Sequence, residues 1–348
     1  MLSTRPHSAL SRFSILLLFS LCVPSSLPAT LINGAGATFP YPIYSKWFSD
    51  YQKKNPEAQF NYQSIGSGGG IRQFTDHTID FGATDSPMTD EQLKKAGAAV
   101  LHIPTVLGAV VVSYNLPGTT SPLKLSGDVV ADIFLGKITK WSDPRIASVN
   151  PGNKLAGDIL VVHRSDGSGT SFVFTDYLSK VSPEWLAKAG RGTAVQWPTG
   201  LGGKGNEGVA GLIKQNPGSI GYVELIYAEQ NGLSHAVLKN SAGKFVAASV
   251  ASVTVAAEGQ AIPDDFRVSL TDPKGPKAYP LSSFTYLLIW KQNAADPLAI
   301  EKATLIKQFI GWAVTEGQKS AADLHYAPLP KKIAQRVLTL VRPGAKLN

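Results

Sequence analysis

Four times along this chain an apolar, strand-like run ends in a loop of glycine mixed with serine or threonine. The loops read "GAGATFP" (34–40), "GSGGG" (66–70), "GATDSP" (82–87) and "RSDGSGTS" (164–171). Three of them run on into apolar residues at helical spacing, as in "YPIYSKWFSDYQKKN", where Ile43, Trp47 and Tyr51 recur on one face. The pattern continues with "AQFNYQSI" before "GGGIRQFTDHT", "IDFGATD" before the capping-box sequence "TDEQLKKAG", and "ILVVHRSD" before "GTSFVFTDYLSK". Strand, glycine loop and helix in this order predict an α/β fold with a parallel or mixed sheet. Towards the end, "FTYLLIW" reads as a buried strand. "DPLAIEKATLIKQFIGWAVTEG" reads as a long helix with Asp296 as N-cap, Pro297 in the first turn and Gly317 as C-cap.

In open α/β sheets ligands collect beyond the carboxyl ends of the strands, where these four loops lie. Glycine lets a backbone approach closely, and free N–H groups at a helix start favour an anion. The charged members narrow the ligand. Arg164 offers a planar pair of N–H donors to an oxyanion, and Asp166 stands two residues on. Asp85 is the odd member, since a carboxylate beside an anion is repulsive unless the anion brings a proton. Taken one at a time, Arg164 and Asp166 also read as an ion pair at a strand end, and Asp85 as a turn or capping residue ahead of Pro87.

The chain has 348 residues, 43% of them hydrophobic, enough for a sizeable core. Its first 29 residues differ from the rest. Arg5 and Arg12 precede "FSILLLFSLCV" and "PSSLPA", a secretory signal pattern with cleavage after Ala29. The only cysteine, Cys22, lies within that signal, so the mature chain is expected to hold no disulfide and no thiolate metal site. Leu21 is too bulky for a lipid-attachment motif around Cys22. Loss of Arg5 and Arg12 leaves 31 Lys and Arg against 25 Asp and Glu, so the formal charge falls from +8 to +6. That surface mildly favours anions. The basic residues are scattered without interleaved aromatics, which argues against nucleic acid as a partner. The six histidines show no metal-ligand spacing, and no G-x-S-x-G elbow occurs. "GLGGKGNEG" (200–208) lacks the Lys-Ser/Thr ending of a P-loop and reads as a tight turn into a helix. Strand alternation turns His163 away from Arg164, and the aromatics of "YPIYSKW" read as core.

Together "GAGATFPYPIYSKW", "IGSGGGIRQF", "DFGATDSPM" and "RSDGSGTSFVFTDYL" closely resemble the periplasmic phosphate-binding protein of bacterial ABC phosphate importers. The likeness extends through "LGKITKW", "WPTGLGGKGNEGVAGLI" and "GSIGYVEL", and is weakest over about 235–279. The resemblance implies a two-lobed "Venus flytrap", with 30–104 plus 280–348 in one lobe and 105–279 in the other. The chain would cross between them near 104–106 and again near Tyr279–Pro280. It implies inorganic phosphate in the cleft, held by Thr38, Phe39, Ser67, Asp85, Arg164, Ser168, Gly169 and Thr170, with Asp166 holding Arg164. It further implies a monomeric receptor without cofactor or catalysis. That receptor works in the periplasm and serves an inner-membrane permease with its ATPase subunits. The rival readings are a secreted phosphatase and a receptor for another oxyanion such as sulfate or molybdate.

Overall fold

The computed structural model describes residues 1–2, 29–291 and 296–342. Most of the expected signal segment, Cys22 included, lies outside the described residues. The first half of the fold follows the sequence rhythm closely. Strand β1 (Thr30–Gly36) leads to helix α1 (Tyr41–Lys54), β2 (Ala58–Ser64) to α2 (Ser67–Thr75), and β3 (Phe81–Thr84) to α3 (Asp90–Ala96). Helix α3 starts on a capping box, with Thr89 accepting from the Gln92 N–H and the Gln92 side chain accepting in return, and ends on Gly97 in the left-handed region. A long strand, β4 (Val100–Asn115), follows.

The second half begins with β5 (Lys124–Leu125), α4 (Gly127–Phe134) and α5 (Pro144–Ala147). Then come β6 (Leu160–Arg164), α6 (Gly169–Val181), α7 (Pro183–Lys188), β7 (Leu201–Gly203), α8 (Gly205–Gln215), β8 (Ser219–Glu224) and α9 (Leu225–Asn231). Short strands β9 (Ser234–His235), β10 (Val237–Lys239) and β11 (Phe245–Val246) precede α10 (Val250–Glu258). The chain closes with β12 (Ser282–Trp290), α11 (Pro297–Ala313) and α12 (Lys331–Val341).

One curled, mixed sheet carries the strands in the order β2-β1-β3-β12-β4-β8-β6-β7, with β9 added on β4. β4 is the strand shared by both halves. It pairs antiparallel with β12 as far as Ala109, then takes up β8 from Val110. Such a change of partner joins two sheets through one continuous backbone. The helices cover both faces, which is why β4 and β12 are buried along almost their whole length.

Each half has its own aromatic core. On α1 the buried face is Ile43, Tyr44, Trp47, Phe48 and Tyr51, the helical spacing read from the sequence. Phe48 stacks on Phe60 at 5.0 Å, and Phe60 meets Phe309 of α11 at 4.7 Å. In the other half Phe174 stacks on Tyr222 at 4.2 Å beside Phe134. Aromatic pairs of this kind add about 0.5–1.5 kcal/mol each beyond area burial.

One boundary differs from expectation. Asp296 caps α11 by accepting from the Ala299 N–H, but the helix ends at Ala313 with Val314 as C-cap, not at Gly317. Gly317 instead opens a short 3-10 turn and accepts a 2.9 Å hydrogen bond from the Trp47 indole on its carbonyl. A Cβ on Gly317 would sit 3.2 Å from that ring, so its glycine serves close packing rather than capping.

Candidate anion-binding site

The loops leaving β1, β2 and β3 converge because those strands are parallel neighbours. The Gly36 carbonyl ties two of the loops by accepting from the N–H groups of Ile65 and Gly66, at 3.0 and 2.8 Å. Gly36 has φ of +148°, and a Cβ there would fall 2.0 Å from the Ala83 carbonyl oxygen, so only glycine allows this approach. The result places Thr38–Phe39, Ser67 and Asp85 side by side. The loop after β6 brings Arg164, Asp166 and Ser168–Thr170 against them from the other half of the sheet. Thr38, Ser67, Asp85, Arg164, Ser168 and Thr170 are each no more than 2% exposed.

The two halves touch directly. The Gly68 N–H donates to the Gly167 carbonyl at 2.8 Å. The Tyr227 hydroxyl donates to the Thr38 carbonyl at 2.6 Å. Gly169 faces Asp85 and Ser67 so closely that a Cβ would lie 2.5 Å from both Asp85 Oδ2 and Ser67 Oγ. We therefore expect Gly169→Ala to hinder this closed contact while sparing each half, an overpacking cost of about 1–3 kcal/mol. Small-angle scattering and melting curves check this. A variant as compact and as stable as the parent would show that the contact tolerates a methyl group.

Arg164 is anchored behind the loops. Its Nε and one terminal nitrogen donate to the two Asp166 oxygens at 2.8 and 2.6 Å, and the other terminal nitrogen reaches Thr170 Oγ1 at 3.4 Å. A guanidinium has five N–H groups, so two remain, one on each terminal nitrogen, forming a fork. Burial would raise the Asp166 carboxyl, but the Arg164 hydrogen bonds and charge outweigh it and hold it below the usual range. Asp166 Oδ1 also accepts from the Gly205 N–H at 3.0 Å.

The remaining groups are mostly donors. Gly169 and Thr170 open α6, where N–H groups have no intrahelical acceptor. Ser168 caps that helix by accepting from the Ser171 N–H, and its own N–H is used by the Thr193 carbonyl, leaving its hydroxyl hydrogen. Phe39 is locked in the core with its carbonyl on the Tyr326 hydroxyl at 2.6 Å, so it offers the site only backbone. Asp85 is the exception. Its Oδ1 accepts from Thr285 Oγ1 at 2.8 Å, and Oδ2 faces the other half. Burial pushes its carboxyl up to about 7, against the lowering effects of Thr285, Arg164 and Ser67. The helix-capping alternative for Asp85 fails, because Thr89 caps α3.

Several residues at the site carried no signal in the loops read first. Thr285 on β12 is one. The "GLGGKGNEG" segment is another: it does turn into α8, yet it also brings Asn206 against Thr38 and Thr170. It stands at the carboxyl end of β7, so the rule that singled out the other loops applied to it as well. His163 points away, stacked on Trp197 at 4.8 Å. Among the described residues no group of three His, Cys, Asp or Glu side chains is placed to hold a metal.

Two half-sheets joined through a shared strand, with loops from both meeting between them, define a two-lobed α/β binding protein of the periplasmic type. Consistent with that class, residues 23–316 match the family model for the PBP superfamily domain. A solved phosphate-binding protein from Stenotrophomonas maltophilia shares the fold with a TM-score of 0.71 at 20% identity, over 89% of this chain and 93% of that one. The phosphate-binding protein PstS of Pasteurella multocida is 49% identical over 313 residues, 89% of each chain. The PstS of Xylella fastidiosa is 48% identical over 310 residues, 88% of this chain and 83% of that one. The chain belongs to the PstS family of phosphate-binding proteins.

Proposed function

We propose that this chain binds inorganic phosphate between its two lobes in the periplasm and delivers it to an inner-membrane ABC permease with ATPase subunits. It acts as a monomeric receptor with its signal segment removed, and not as an enzyme. The observation that carries the reading is a buried cluster of donors with one acceptor, Asp85 Oδ2, turned toward the opposite half. Thr38 and Ser67 supply hydroxyl and N–H donors, Phe39, Gly169 and Thr170 supply N–H groups, and Ser168 and Thr170 supply hydroxyls. Arg164, held by Asp166, supplies the charged fork. Asp85 accepts a hydrogen bond from the O–H that phosphate retains at neutral pH. The lobes are 30–104 with 280–348, and 105–279. The change of strand partner along β4, at Ala109–Val110, lies a few residues beyond the first of these boundaries and supports a crossing within that strand.

No described helix is long and apolar enough to cross a membrane. A phosphatase is disfavoured by the close approach of Gly169 to Asp85 and Ser67, which leaves little room there for an ester's organic group. Calorimetric titration of phosphate-stripped protein with phosphate, arsenate and sulfate tests the proposal. We expect phosphate and arsenate to bind and sulfate to bind far more weakly near pH 8. Phosphate should also make the stripped protein more compact and raise its Tm by mass action. Equal affinity for sulfate at that pH, or turnover of a chromogenic phosphoester lost in Arg164→Ala, would overturn it.

A further inference from the structure

Asn206 is fully buried at the start of α8, in the half of the sheet opposite Thr38. Its Oδ1 accepts from the Glu224 N–H at 3.0 Å. Since only the oxygen can accept, the amide orientation is settled, and Nδ2 must face the other way. There it donates to Thr38 Oγ1 at 2.7 Å and to Thr170 Oγ1 at 3.2 Å. Thr38 Oγ1 also accepts from the Asn206 N–H at 3.3 Å, and Thr170 Oγ1 accepts from Arg164 at 3.4 Å.

A hydroxyl has two lone pairs and one hydrogen. On both threonines the lone pairs are already engaged, so each hydroxyl has only its hydrogen left to offer. We infer that Asn206 is a positioning residue that locks the Thr38 and Thr170 hydroxyls as donors. Asp85 is then the acceptor left to read the ligand's proton. The inference rests on the phosphate reading of this site. Asn206 acts through the threonines and needs no contact with the anion. It also joins the two halves, because its hydrogen bond to Thr38 exists only when they meet.

The test is a double-substitution cycle in the full mature chain, read by phosphate calorimetry. Asn206→Ala in the parent should raise Kd by at least about tenfold, the weight of one well-aimed donor to a charged group. In a Thr38→Val or a Thr170→Val background the same substitution should cost at least about threefold less, because one hydroxyl it aims is already gone. The same penalty in parent and in both backgrounds would mean that Asn206 merely supports the fold, and would overturn the inference. If Asn206→Ala does not fold, Asn206→Asp serves. It keeps the volume and the acceptor for Glu224 but cannot donate to the hydroxyls, and its added charge acts in every background and cancels in the comparison. A parent chain that binds no phosphate would fell the functional reading and this inference together. A parent that binds, with additive penalties, fells the inference alone.

Discussion

Arg164→Ala should raise the phosphate dissociation constant by between roughly 30-fold and several thousand-fold. Truncating one partner of a buried, charge-assisted pair costs about 2–5 kcal/mol. The upper end is expected here, because the guanidinium neutralises two anions at once. Without it Asp166 keeps its charge, held only by backbone N–H groups such as that of Gly205, and adds repulsion to the loss of the fork. Arg164→Lys should recover little. An ammonium cannot donate to both Asp166 oxygens in a plane and still present a second pair of N–H groups. Calorimetry of the two variants checks both points, and near-parental affinity in Arg164→Ala would place the charged clamp elsewhere.

The second large effect concerns Asp85 and its dependence on pH. In the unfolded chain this carboxyl titrates at its ordinary 3.8, whereas burial in the folded chain pushes it up to about 7. The folded state therefore holds the proton more tightly. The stability this contributes is fully present below about pH 3.8 and is lost as pH rises through about 7. At roughly 1.4 kcal/mol per pKa unit, the loss approaches about 4 kcal/mol. Asp85→Asn lacks this titration, so ligand-free Asp85→Asn should gain thermal stability relative to the parent between pH 4 and 8. Groups acting on Asp85 are Thr285, Ser67 and Arg164, and the buried Glu224, itself pushed well above its usual range by burial and by Asp85, lies close enough to be coupled to it.

The same proton governs anion choice. Above pH 7 an ionised Asp85 accepts from a phosphate O–H but faces fully ionised sulfate with like charge, a mismatch of several kcal/mol in a water-poor site. Below that pH a protonated Asp85 can itself donate to sulfate. Rejection of sulfate should therefore weaken as pH falls from 8 to 5.5 in the parent. In Asp85→Asn it should be weaker throughout and independent of pH, with phosphate affinity little changed. Titrations with both anions at several pH values decide this. Parental discrimination that is flat with pH would reduce Asp85 to a structural residue.

The strand–loop–helix rhythm, the cap at Thr89 and the buried face of α1 were legible because they are local. Hydrophobic spacing and capping chemistry act within a few residues of chain. The four glycine loops were legible as a set for a related reason, since parallel strands put their carboxyl ends on one side. The resemblance to a binding-protein family then ordered Thr38, Ser67, Asp85 and Arg164 into one reading. The end of α11 escaped, because Gly317 answers to Trp47, 270 positions away in sequence. Separations of 200, 189 and 168 positions likewise hid the pairing of Thr285 with Asp85 and of Tyr227 and Asn206 with Thr38, which sheet pairing and contact between the halves bring about. By itself the sequence determined which residue types stand at the strand ends, and hence an anion-seeking α/β chain. Tertiary structure alone decided which lone pairs are taken and which hydrogens are left free. Hydrogen bonds to a buried group come from whichever backbone or side chain the packing brings within about 3 Å, and no local pattern encodes that.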